Sequence, residues 1–157
     1  TGHALAYYNR GVARGRIKNY SGAINDFKKV LEINPEKASA YYMIGIAQLL
    51  DGENNTRFTS THLAINSFSC AIRLDREYAR AYYMRAYAKT IQNLLVSAIK
   101  DYSKVIEIDE NYLIAYIRRG FLKQRLYKNN HGCKDWEIAR KKGSREAAEQ
   151  IEKFCTS

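Results

Sequence analysis

YYNRGVARGRIKNYSGAINDFKKVLEINP, residues 7–35, sets the pattern for the whole chain. In its first half Tyr7, Arg10, Gly11 and Arg14 fall on one helical face, and in its second half Ala23, Phe27 and Val30 do the same. Pro35 closes the unit, since it cannot continue a helix. The spacing predicts two helices, from about His3 to Ile17 and from Ser21, read as the N-cap, to Ile33.

The unit returns three times. Its first small residue recurs as Gly11, Gly45, Ala86 and Gly120, in steps of 34, 41 and 34. Its second recurs as Ala23, Ala64, Ala98 and Gly132, in steps of 41, 34 and 34. Both series give a 34-residue period with seven extra residues inside the second copy. An aromatic precedes each first slot by four (Tyr7, Tyr41, Tyr82, Tyr116) and follows each second slot by four (Phe27, Phe68, Tyr102, Trp136). Two antiparallel helices approach closely only where side chains are nearly absent, with a neighbouring ring filling the wedge.

This pattern, over about residues 4–142, resembles the tetratricopeptide repeat family, in its bacterial type. The resemblance implies an all-α fold, a right-handed superhelical solenoid of four antiparallel helix pairs plus a C-terminal capping helix. One domain, 1–157, would hold repeats at about 4–37, 38–78, 79–112 and 113–142 and a capping helix at about 144–155. CKDWEIARKKGSREAAEQI, residues 133–151, is similar to the small-residue spacing of Sel1-like cousins. Gly143 reads as a C′ residue and Ser144 as the next N-cap. Ala147, Ala148, Ile151, Phe154 and Cys155 then form the apolar stripe with which a last helix covers the open end of a stack. Gly132 stands where the other copies have alanine, a helix-propensity cost of up to about 1 kcal/mol.

The extra residues fall in DGENNTRFTSTH, residues 51–62, expected as a surface loop before a helix over 63–74. A flap that holds a ligand through Phe58 is the functional alternative, and Asn54–Thr56 spells a glycosylation acceptor that carries little weight here. Cys70, Cys133 and Cys155 show no C-x-x-C spacing, and His3, His62 and His131 are scattered, so no metal site and no cofactor are expected. Cys133 and Cys155 lie on helices expected to touch; two buried thiols are preferred over a disulfide, and both stay open. No apolar run approaches the ~20 residues of a membrane span. No leader pattern is present and Thr1 is not an initiator Met, so a mature form or a fragment, cytoplasmic or periplasmic, is expected.

Comparison of the copies exposes a pairing. The residue before the first small slot is Arg10, Ile44, Arg85 and Arg119, and the residue three after the second is Asp26, Ser67, Asp101 and Asp135. Where Arg becomes Ile, Asp becomes Ser. Three ion pairs joining the helices of one repeat are therefore expected, with arginines facing solvent or ligand as the alternative.

In the resembled family the first helices line a concave face. Their exposed side would present Tyr8, Val12, Arg16, Tyr42, Ile46, Arg80, Tyr83, Tyr87, Ile117, Phe121 and Arg125 as a peptide-binding groove, flanked by Leu5, Ser39, Leu50, Ile91 and Ile114. Tyrosine gives contact area at low entropic cost and arginine grips carboxylates, which suits a peptide or helix; equally, the tyrosines could serve only packing between repeats. The net charge of +10 divides as +4, −1, +1 and +6 over residues 1–37, 38–78, 79–112 and 113–157, fitting either an acidic partner or merely a soluble basic face. The family's two-carboxylate clamp for chaperone tails would need Lys, Asn, Asn, Lys and Arg where this chain has Tyr8, Val12, Met43, Arg80 and Met84. Only Arg80 is compatible, so chaperone-tail binding is not expected.

No set of nucleophile, base and oxyanion donors can be placed, so the chain reads as no enzyme, without a small-molecule substrate. Nucleic-acid binding through basic ends and tyrosines is the alternative; self-association is another outcome open to such a surface.

Overall fold

The computed structural model describes residues 2–51, 57–127 and 130–155, residues 57 and 58 by backbone alone. The described residues form nine helices and no strand: α1 (Gly2–Arg16), α2 (Tyr20–Ile33), α3 (Ala38–Asp51), α4 (Arg57–Leu74), α5 (Ala79–Ile91), α6 (Leu95–Ile108), α7 (Leu113–Tyr127), α8 (Cys133–Lys141) and α9 (Arg145–Phe154). Each odd helix packs on the even helix that follows, and each even helix packs on the next odd one. This is a solenoid of four helix pairs with α9 laid over the last, and α1–α3 and α3–α5 contacts make the first helices an inner row.

The small residues act where the spacing placed them. A Cβ on Gly11 would stand 2.8 Å from Phe27, one on Gly45 2.6 Å from Phe68, and one on Gly120 2.5 Å from Trp136. Each glycine is thus the seat of its own repeat's ring. Ala23, Ala64, Ala98, Phe27, Phe68, Tyr102 and Trp136 are all buried. Ala98 is fully enclosed beside Ala86 and Tyr102. Ala98→Leu should therefore cost about 1–3 kcal/mol by overpacking, read as a lower melting midpoint; an unchanged melt would contradict the crossing.

Four expectations need correction. The N-cap of α2 is Asn19, whose Oδ1 accepts from the Gly22 amide at 2.9 Å, because the helix starts one residue before Ser21. The second half of the insertion is helix rather than loop: Thr61, Ala64 and Phe68 are buried at i, i+3 and i+7, so the buried stripe of α4 runs back into it. Asn54–Thr56 and the side chain of Phe58 lie outside the described residues, and the flap and glycosylation readings with them. Gly132 is the N-cap of α8, not an interior residue, so the propensity cost does not apply; its Cβ would meet the Gly120 carbonyl oxygen at 2.5 Å, so two glycines face each other where α7 passes the start of α8.

The fourth correction is covalent. Cys133 and Cys155 form a disulfide, with Cα atoms 5.9 Å apart, tying the end of α9 to the start of α8; Cys70 is free. Gly143, at φ +95°, makes the left-handed turn between these helices, and Ser144 caps α9 by accepting from the Ala147 amide. Trp136, Ile117, Ala139 and Ala147 close the core of this end.

Candidate interaction groove

The helices of three repeats are clamped by a buried aspartate. Asp26 accepts from Arg10 Nε at 3.0 Å and Nη2 at 2.7 Å; Asp101 accepts from Arg85 at 2.8 Å twice; Asp135 accepts from Arg119 at 3.0 and 2.7 Å. All three expected pairs form, and each is a two-point fork. Each guanidinium also lies over the ring three residues earlier, Tyr7, Tyr82 or Tyr116, at 5.3–5.7 Å.

A third member had gone unread. One turn after each arginine, a second cation meets the same carboxylate: Arg14 at 2.9 Å, Lys89 at 2.7 Å and Lys123 at 2.9 Å. In the second repeat, where Ile44 replaces the arginine, the column holds Gln48, whose Oε1 accepts from Ser67 Oγ at 2.7 Å. The signal was present: this column is charged where its partner is Asp and neutral where it is Ser. Arg85 and Arg119 reach further, donating to Ser69 and Ser103 of the preceding repeat at 3.0 and 2.9 Å. Six cations are therefore committed to holding the frame.

The hydrogen bond from Arg10, with the charge of Arg14, holds the Asp26 carboxyl below its ordinary range against the opposing cost of burial. A folded value below the unfolded one means that the stabilisation is complete above the unfolded value of about 3.9 and fades as pH falls through the folded value. Asp26→Asn should flatten the loss of stability below about pH 4, measured as melting midpoint against pH. An unaltered acid limb would exclude Asp26 as a contributor.

The tyrosines of the inner row do pack. Tyr8 meets Phe27 edge-on at 5.5 Å, Tyr42 lies between Phe68 and Tyr78 at 5.8 and 5.2 Å, and Tyr83 between Tyr102 and Tyr112 at 5.6 and 5.3 Å. Burial pushes the Tyr42 and Tyr112 hydroxyls up and takes Tyr78 up to about 12. Phe121 meets Trp136 edge-on at 5.3 Å. Ile117 is only 3% exposed and belongs to the core cluster around Trp136 of α8, whose Nε1 donates to the Ile117 carbonyl at 3.2 Å, so it is not groove surface.

What the row offers to solvent is Leu5, Arg16, Leu50, Arg80, Tyr87 and Arg125, with Val12 and Ile46 half-buried. Arg125 also donates to Asn93 at 3.0 Å across the repeat boundary. Two hollows open between repeats one and two. One, of about 260 Å³, is lined by Val12, Arg16, Met43, Ile46 and Leu50. The other, of about 520 Å³, lies between Leu5, Tyr8, Val30, Ile33, Lys37 and Ser39. Among the described residues no group of His, Cys, Asp or Glu could hold a metal, and no helix is long and apolar enough to cross a membrane.

The architecture is that of a helical-repeat solenoid whose inner helices share one surface. Residues 4–37 and 79–112, the first and third of the four helix pairs, each match a tetratricopeptide repeat family model. The crystal structure of MamA is similar at a TM-score of 0.81, with 25% identity over 92% of this chain and 81% of that one. MamA 41-end from Desulfovibrio magneticus RS-1 gives 0.74 at 22% identity, covering 90% and 78%. The first repeat domain of Spaghetti (RPAP3) bound to HSP90 peptide SRMEEVD gives 0.71 at 24% identity, covering 80% of this chain and 94% of that domain. No curated protein matches the chain by sequence.

Proposed function

We propose that the chain is a non-enzymatic interaction scaffold that holds a peptide or helix of a partner protein along its inner row. The observation that carries this reading is the division of labour among its basic and aromatic side chains. Arg10, Arg14, Arg85, Lys89, Arg119 and Lys123 are tied to buried aspartates, whereas Arg16, Arg80 and Tyr87 stand exposed on the inner helices with no such task. Exposed tyrosine and arginine on a rigid row are the residue types that anchor partner chains. An acidic partner fits the arginines.

The same reading takes residues 1–157 as one domain of four repeats, bacterial in type, with a Sel1-like end over 133–151. The peptide of the Spaghetti domain does not transfer, because the likeness is one of fold and four of the five clamp slots carry unsuitable residues. Against nucleic acid, the inner-row tyrosines Tyr8, Tyr42 and Tyr83 are already packed on rings of the chain itself, which leaves Tyr87 as the exposed one of the row.

The test is capture of partners from nuclease-treated extract of the native cell by the wild-type chain and by Arg80→Glu/Tyr87→Ala, both sites being exposed. The expected result is a protein captured by the first and lost by the second, at an unchanged melting midpoint. Equal capture by both, or tight oligonucleotide binding that falls steeply with salt, would overturn the scaffold reading.

A further inference from the structure

The hollow of about 520 Å³ lies where, in the next two repeats, a tyrosine of the chain itself is seated. Register places Lys37 where the next two copies have Tyr78 and Tyr112, at the turn after the second helix. Tyr78 lies on Tyr42 with ring centroids 5.2 Å apart and planes inclined by 36°; Tyr112 lies on Tyr83 at 5.3 Å and 34°. In the fourth copy the equivalent floor, Ile117 and Ala139, is covered by α9 through Ala147. Tyr8 occupies the position of Tyr42 and Tyr83, and among the described residues it supplies the only ring that lines the hollow. Leu5 and Ile33 are left 63% and 48% exposed at the rim. The exposed Lys37 puts a cation at the mouth instead of a ring over the floor.

The protein thus displays, twice over, the shape of the group that completes this slot. We propose that the first-repeat hollow is a receptor for an aromatic side chain of a partner segment that carries a carboxylate beside the ring. The ring lies on Tyr8 as Tyr78 lies on Tyr42, and the carboxylate meets Lys37. The volume falls within the roughly 300–1,000 Å³ of small-ligand pockets, and its walls, Leu5, Val30 and Ile33, are apolar. Stacked or tilted ring pairs add attraction beyond area burial. The charge agrees, since residues 1–37 carry +4 and Asp26 is already taken by Arg10 and Arg14.

The proposal rests on the scaffold reading but fails separately from it. The probe is N-acetyl-Tyr-Glu-amide, titrated into ¹⁵N-labelled full chain and followed by amide shifts, with N-acetyl-Ala-Glu-amide and N-acetyl-Tyr-Gln-amide as controls. Expected are saturable shifts centred on Leu5, Tyr8, Ile33 and Ser39, absent with the alanine probe and severalfold weaker with the glutamine probe. Lys37→Tyr, which supplies the missing ring from within, should abolish the shifts and raise the melting midpoint. Leu5→Asp, at an exposed site, should weaken binding at least tenfold while leaving the fold intact.

Shifts that persist in both variants, or that centre on other repeats, would overturn the proposal. Self-association of the free chain that Lys37→Tyr removes would also overturn it, by giving the slot to a second copy. Loss of partner capture in Arg80→Glu/Tyr87→Ala together with full capture by Lys37→Tyr would keep the scaffold and discard the slot.

Discussion

Asp101→Ala is expected to destabilise the chain by about 3–5 kcal/mol, the cost of leaving buried charge without its partner. At roughly 2–4 °C per kcal/mol for a chain of this size, the melting midpoint should fall by about 6–20 °C. Asp101 is 5% exposed and receives Arg85 twice and Lys89 once, and the side chains of these two cations are only 18% and 14% exposed. Removing the carboxylate therefore strands two cations in the seam between α5 and α6 and loosens the bond from Arg85 to Ser69 in the repeat before. Asp26→Ala should cost less, because the Arg10 side chain is 55% exposed and water can take over its solvation. The second repeat shows that the seam does not need charge as such: Ile44, Ser67 and Gln48 close it with one neutral hydrogen bond. Replacing the three residues of the third repeat together by that neutral set should accordingly recover much of the loss. A single variant as stable as wild type would mean that the buried carboxylate contributes nothing.

The fold was legible because its main constraint is steric and periodic. A glycine that seats Phe27, Phe68 or Trp136 recurs with the ring it seats, 16 residues on in the first and fourth copies and 23 across the insertion of the second, and Ala86 keeps the slot small in the third. The Arg–Asp forks were legible for a related reason, since substitution of one partner is matched by substitution of the other within the same chain. The second cation could have been found in the same columns, but Arg, Lys and Gln look like ordinary solvated helix residues until the carboxylate they share is seen. The open slot escaped because periodicity draws the eye to what recurs, and Lys37 matters by not being the tyrosine that recurs. The extension of α4 was hidden by Thr59, Ser60 and Thr61, weak helix formers held there by packing. Burial of Ile117 follows from its place in the cluster around Trp136, a tertiary contact that the spacing of α7 alone does not encode.

Reduction of the Cys133–Cys155 disulfide, or Cys155→Ser, should cost about 3 kcal/mol, the loop-closure entropy released across a segment of this length. The bonded cysteines are 22 residues apart in sequence and enclose α8, the Gly143 turn and α9. In a stack whose units touch only their neighbours, the terminal unit opens first, so the loss should appear as early, local melting of α9 and not as uniform weakening. Trp136, the only tryptophan, reports on that event: it is fully buried, with Phe121 on one side and Phe154 of α9 at 5.7 Å. Freed α9 would take Phe154 and Ala147 away and admit water to the indole, moving its emission to longer wavelength at temperatures where α1 to α6 are still folded. Cys70→Ser supplies the control, since that thiol is unbonded and lies in another repeat. If reduction leaves both the melt and the tryptophan emission unchanged, then Ile151 and Phe154 hold the cap by packing alone, and the covalent tie adds only a constraint that the apolar stripe already meets.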